Sequence, residues 1–181
     1  MLISKYSCHN FDEELELCSQ RLELHFPQAF VDFLRKYNGG ETPNTTFSLR
    51  GVSSDIRAFY GLGDVKYSFS GIEAILVGTK RYLPIALDSF GNNIVMDVDS
   101  GAILFYDHEA GAVKPLAEDF RAFVEACKSE PISPASCKSI AEREQDLIQR
   151  GRGSIITDAL RQMWQSEIEK YQSISQEKVA F

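Results

Sequence analysis

Four aspartates, Asp88, Asp97, Asp99 and Asp107, form the set of side chains in the sequence most suggestive of catalysis, each at or beside the end of an alternating apolar run. Carboxylates gathered at strand ends bind divalent cations or act as an acid–base pair. The run Asp97-Val98-Asp99-Ser100-Gly101 is similar to a calcium loop, but its glycine stands one place early and position twelve is His108, not a glutamate. Aspartates beside glycines have a plainer occupation, accepting backbone N–H groups in turns, and that role outweighs a metal role here. A third use is an acidic face for a basic partner. Alternation sets Asp97 and Asp99 opposite Ile94, Met96 and Val98. Asp97, Asp99, Asp107 and Glu109 are therefore the candidate partner-binding residues.

Other reactive residues make a thin case for catalysis. His9, His25 and His108 have neither ligand spacing on one element nor a triad pattern, and His108 between Asp107 and Glu109 reads as a solvated loop histidine. Cys8, Cys18, Cys127 and Cys137 lack Cys-x-x-Cys spacing. Cys18 and Cys127 fall in apolar stripes, where a cysteine acts as a small hydrophobe. Gly61-Leu62-Gly63 lacks the third glycine of a dinucleotide loop, and no phosphate loop occurs. The expectation is a protein that is not an enzyme and carries no cofactor or metal.

The elements that must position these residues follow from periodicity. Asn10 and Glu13 have capping-box spacing before Phe11, Leu15, Cys18 and Leu22, which predicts a first helix. A second begins at Pro27, buries Phe30, Phe33, Leu34 and Tyr37, and stops at Asn38-Gly39-Gly40. The period then changes to two around Phe47, Leu49 and Val52, with another short strand at 57–62; the apolar residues of 70–77 fit either period, and a short helix is expected there. Residues 83–87, 94–98 and 102–106 alternate between glycine turns and predict an antiparallel meander, with Pro84 at an edge or bulge. A helix over 117–127 follows, then a linker at 129–134. A helix over 139–150 comes next, and then a long amphipathic one through Ile156, Leu160, Met163, Trp164, Ile168 and Tyr171. The residues from Gln176 are expected to fray. The fold class is α+β, with an antiparallel or mixed sheet flanked by helices and a C-terminal helical extension. The domains are placed at 1–128 and at 129–181, the latter expected to pack on the same domain.

The chain of 181 residues is long enough for one well-filled core, with 44% hydrophobic residues. A formal net charge of −7 argues against direct binding of nucleic acid, itself a polyanion, and suits a basic partner. No apolar run approaches bilayer-spanning length, and residues 1–6 lack a secretory pattern, so a cytoplasmic location is expected.

Two local signatures resemble the SUKH superfamily. Phe26-Pro27 opens a helix running through Phe30, Phe33 and Leu34 to Asn38-Gly39-Gly40. Leu83-Pro84-Ile85-Ala86-Leu87-Asp88 is followed by Gly91-Asn92-Asn93-Ile94-Val95-Met96-Asp97, then by Gly101 to Phe105, Asp107-His108-Glu109 and the helix around Phe120. That superfamily unites fungal cell-wall synthesis regulators with bacterial immunity proteins that neutralise polymorphic toxins, often nucleases. The resemblance implies an α+β protein-binding module without a shared catalytic centre. It implies as partner a cognate toxin, with a basic nuclease as one class, or alternatively a cellular protein or peptide recognised by a regulatory adaptor. The helices after Glu130 extend past the core pattern.

Overall fold

The computed structural model describes residues 1–132 and 138–181, and Cys137 lies outside the described residues. Contacts divide the chain into two compact units, one of Met1–Glu130 with Gln176–Phe181 and one of Pro131–Ser175.

The first unit opens with a strand, β1 (Leu2–Lys5), then helices α1 (Phe11–Leu22) and α2 (Gln28–Tyr37). Asn10 does precede α1, but its side chain makes no cap bond, so the expected capping box is not formed. Pro27 sits one place before the first turn of α2, and Asn38 ends the helix in the left-handed conformation at φ 50°. Strands β2 (Gly40–Leu49) and β3 (Val52–Phe59) form a long hairpin, so β2 begins seven residues before the alternation that marks it in the sequence. Buried Thr42 and Thr45 break the apolar pattern there; the Thr42 hydroxyl donates to the Ile56 carbonyl at 2.7 Å, which makes its burial tolerable.

The segment read as a short helix is instead a single 3₁₀ turn, Phe69–Gly71, followed by β4 (Ile75–Val77). The meander is present as β5 (Lys80–Leu87), β6 (Asn93–Asp97) and β7 (Ile103–Asp107), and it continues into β8 (Ala112–Ala117). Residue 117 therefore ends a strand rather than starting a helix. The helix, α3 (Phe120–Ala126), is capped by Asp119, whose side chain accepts from the Ala122 amide. Lys128–Ser129 forms β9, paired with β2, so Ser129 of the linker expected at 129–134 belongs to a strand, while Ser133 and Pro134 of that linker lie outside the described residues. Glu177–Lys178 forms β10 on β1, so the last residues do not fray.

The result is an α+β fold with an open, antiparallel ten-stranded sheet in the order β10-β1-β2-β3-β5-β6-β7-β8, with β4 on β5 and β9 on β2. Pro84 sits where its missing donor matters least. Opposite β5, β4 pairs up to Tyr82 and β3 begins at Ala86, and a register shift lies between Pro84 and Ala86. Helices α2 and α3 press an aromatic cluster onto the sheet. Phe120 meets Phe30 at 5.1 Å and Phe33 at 5.0 Å, and Phe123 meets Phe47 at 5.6 Å. Each fully buried phenylalanine contributes about 1.5–3 kcal/mol by leaving water.

Asn38-Gly39-Gly40 joins α2 to this sheet. A side-chain carbon at Gly39 would lie 2.4 Å from the Tyr60 carbonyl oxygen, and one at Gly40 2.3 Å from that of Ser4. The Asn38 amide group donates to the Leu62 carbonyl at 3.0 Å and accepts from the Leu62 amide at 2.9 Å, pairing with the chain as a backbone would.

In the second unit, α4 (Ile140–Gln149) starts at a capping box of Ser139 and Glu142, and α5 (Asp158–Ser173) starts at Thr157. The two helices are tied by Arg143–Glu167 and Arg161–Glu144 ion pairs at 2.7 and 2.6 Å, and Trp164 is buried while Met163 is exposed. Among the described residues, no helix is long and apolar enough to cross a membrane.

Candidate functional site

The meander sorts the candidate carboxylates by strand direction. Because β5 to β8 alternate in direction, the β5–β6 and β7–β8 turns share one end of the sheet and the β6–β7 turn lies at the other. Asp88, Asp107 and Glu109 stand at the first end; Asp97 and Asp99 stand at the second. The five residues of β6 separate them by roughly 13 Å at about 3.3 Å per residue. The four partner-binding candidates are thus two pairs and not one patch.

At the second end Asp97 is 7% exposed. One oxygen accepts from the amides of Asp99 and Ser100, at 3.1 and 3.3 Å, and the other takes the Lys80 ammonium at 2.8 Å. The bond from Lys80 is the largest cause holding its carboxyl below the usual range; burial opposes it, and the two turn amides add to it. Asp97 is thereby occupied in closing a turn. Asp99 is exposed beyond the strand end.

At the first end Asp88 is 1% exposed and accepts four hydrogen bonds. The amides of Phe90 and Asn92 meet one oxygen at 2.9 and 2.8 Å; the Ser54 hydroxyl and the Asn92 side-chain amide meet the other at 2.8 and 2.9 Å. Asn92 in turn accepts from the His108 amide at 3.2 Å and pairs with its Nδ1 at 2.9 Å, linking the two turns. Asp55 of β3 accepts from the Ser89 amide at 3.1 Å and from its hydroxyl. Asp107 accepts from the Ala110 amide at 3.0 Å and stands 4.0 Å from Lys114, while Glu109 is exposed.

This network holds up a side chain that sequence reading passed over. Phe90, at the tip of the β5–β6 turn, is 72% exposed. Its backbone is fixed by Asp88, and the His108 ring lies beside the following Gly91, whose φ is +92°. The sequence signal was available: a large aromatic between Asp88 and Gly91 is an unusual turn residue. The rim therefore combines one exposed aromatic, carried on a hydrogen-bonded turn, with Asp55, Asp107 and Glu109.

Among the described residues, no group of three or more His, Cys, Asp or Glu is placed to hold a metal ion. Cys8, Cys18 and Cys127 are free thiols, and burial pushes Cys18 up to about 11 and Cys127 up to about 12, far from the reactive thiolate range. His9 and His25 are exposed and stand on different segments from His108. A separate groove of about 520 Å³ between α1 and the loop after β3 is lined by Glu14, Leu17, Cys18, Arg21, Leu62 and Phe69, among others. Arg21 bridges it by donating to the carbonyls of Ile72 and Phe69 at 2.6 and 2.5 Å.

The model of the SMI1/KNR4 family (SUKH-1) matches residues 12–126, a span running from α1 through the meander to the end of α3. The chain belongs to the SMI1/KNR4 family. Within it, the chain is similar to the SPbeta prophage-derived uncharacterized protein YokK of Bacillus subtilis strain 168. The two are 30% identical over 155 residues, covering 71% of this chain and 80% of the relative. No solved structure matches significantly. For the SMI1/KNR4 chain described here, the matched span contains both signatures and both turns of the rim, while α4 and α5 lie beyond it.

Proposed function

We propose that this SMI1/KNR4 chain is an immunity protein that binds and neutralises a cognate polymorphic toxin, without catalysis, cofactor or direct contact with nucleic acid. The observation that carries this reading is the rim at the β5–β6 and β7–β8 turns. There a buried carboxylate with four hydrogen bonds fixes an exposed phenylalanine beside Asp55, Asp107 and Glu109. A turn whose backbone is already fixed loses little backbone entropy on binding, and flanking acids steer a basic surface toward its aromatic. Family membership and the net charge of −7 support the same reading.

Against a basic nuclease, Asp107 and Glu109 stand in for substrate phosphates, covering the toxin's active site or blocking substrate beside it. Asp99 serves the second end of the meander as a peripheral charge, and Asp97 acts through the turn it closes. The protein is assigned to the cytoplasm.

The test is co-expression with the product of the neighbouring gene. One-to-one capture of a toxic domain with rescue of growth supports the reading; capture of housekeeping proteins instead, with no rescue, moves the assignment to a regulatory adaptor. With the partner in hand, Asp107→Asn combined with Glu109→Gln weakens binding and flattens its salt dependence. Unchanged wild-type affinity between about 50 and 500 mM salt removes the electrostatic part.

A further inference from the structure

The loop after β3 is closed by its own bonds. The Gly61 amide donates to the Tyr67 carbonyl at 2.8 Å, and the Gly61 carbonyl accepts from the Phe69 amide at 2.8 Å. The Ser68 hydroxyl donates to the Gly63 carbonyl at 2.7 Å, Asn38 holds Leu62, and Arg21 of α1 clamps Phe69 and Ile72. The groove of about 520 Å³ between this loop and α1 is therefore preformed. Cys18, Leu62 and Phe69 close its floor, and Leu17, 55% exposed, lies along its side.

Charge within the groove is unbalanced. Arg21, the cation among its lining residues, is engaged by the two loop carbonyls. Glu14 lies two turns earlier on the same helix, about 10 Å away at about 1.5 Å per residue. It is half-buried, and its carboxylate has no hydrogen bond or ion pair among the described residues. Gly63 leaves that carboxylate uncovered: a side-chain carbon there would lie 3.8 Å from the Glu14 carboxyl carbon. Asp64, the next residue, is exposed and lines the same groove. A carboxylate partly withdrawn from water and lacking a counter-ion is stabilised by any cation that reaches it.

We propose that this groove takes an arginine side chain from a loop of a protein partner, with its guanidinium on Glu14 and its stem along Leu17. A planar guanidinium meets a carboxylate through two parallel hydrogen bonds and is more weakly hydrated than an ammonium, so a partly apolar groove favours arginine over lysine. The methylene stem of the same residue covers apolar surface while its head stays on the acid. The volume is in the range that takes a whole small ligand, more than one side chain fills, which leaves room for the flanking peptide units and points to a chain as the source. The inference goes beyond the rim reading, whose acids lie on the meander strands and turns, and its test needs no toxin.

The experiment titrates the full chain with the peptide acetyl-Gly-Arg-Gly-amide and follows amide resonances. Saturable binding with a Kd of about 1 mM is expected, with shifts at Glu14, Leu17 and Gly63. A citrulline peptide, which keeps the shape and drops the charge, binds at least about tenfold weaker, and Glu14→Gln has the same effect on the arginine peptide. Glu13→Gln removes an equal charge from an exposed position of α1 and leaves affinity within about twofold. Absence of shifts at those amides, equal binding of the citrulline peptide, or equal losses from Glu13→Gln and Glu14→Gln overturns the proposal. Butylguanidinium binding as tightly as the peptide also overturns it, because the occupant is then a small free cation.

Discussion

The Phe90 amide donates to Oδ1 of Asp88 at 2.9 Å, so the most exposed aromatic of the first unit hangs from one of its most buried carboxylates. A charge is kept out of water, and four donors offset that loss only because the turn adopts a single shape. Rigidity at the tip is thus a consequence of burial beneath it.

Asp88→Ala leaves those donors without their acceptor and is expected to destabilise the chain by about 2–4 kcal/mol, measured by urea denaturation. The same variant frees the Phe90 turn, so exchange at the Phe90 and Asn92 amides rises further than exchange in β6. Equal increases at both places would contradict the link between the carboxylate and the tip.

Phe90→Ala separates binding from folding. A 72% exposed side chain contributes little to the core, so stability stays within about 0.5 kcal/mol. Affinity for the captured partner drops by about 30-fold or more, as for a hot-spot aromatic. Isothermal titration of wild type and variant checks both magnitudes, and unchanged affinity places the interface elsewhere.

The elements most legible in the sequence were those whose signals are local. The stripe of α2, its left-handed stop at Asn38 and the glycine-punctuated meander each follow from residues close in the chain. Strands β1, β9 and β10 are two to four residues long and exist through partners more than thirty residues away, so no local pattern marks them. Lys114 and Pro115 disguised β8, although both suit an edge strand. Asp107 and Glu109 of the site were visible as residue types, whereas Asp55 joins it only through its bonds to Ser89, 34 residues along the chain. The division of the candidate acids between two ends of the sheet was not visible, because it depends on strand direction, and Phe90 was missed because its exposure depends on the network beneath it.

Gly39→Ala tests the junction behind the Asn-Gly-Gly signature. Its φ of +71° and the Tyr60 oxygen 2.4 Å from a new methyl both oppose the change, so a loss above about 2 kcal/mol is expected. Gly51→Ala, at φ +81° with open space around it, meets conformational strain alone and costs about 1 kcal/mol. Thermal unfolding of the pair distinguishes close approach from backbone strain; equal losses would remove the packing role.

Asp97 supplies a pH dependence of known sign. Its carboxyl is depressed in the folded chain, chiefly by Lys80, so its contribution is present above the ordinary value of 3.8 and is lost as pH falls through the lower folded value. Wild type therefore exceeds Asp97→Asn in stability at pH 6, and the gap closes below about pH 4. A gap that stays constant down to pH 2 would show that Lys80 and Asp97 contribute nothing through charge.

The most direct measurement is growth of cells producing the neighbouring gene's product together with this chain, wild type or carrying Phe90→Ala, Asp107→Asn and Glu109→Gln. The account predicts rescue by wild type through a one-to-one complex, and loss of rescue by the triple variant at equal abundance and equal thermal stability. Rescue by both chains alike, or by neither, would contradict neutralisation through the Phe90 rim.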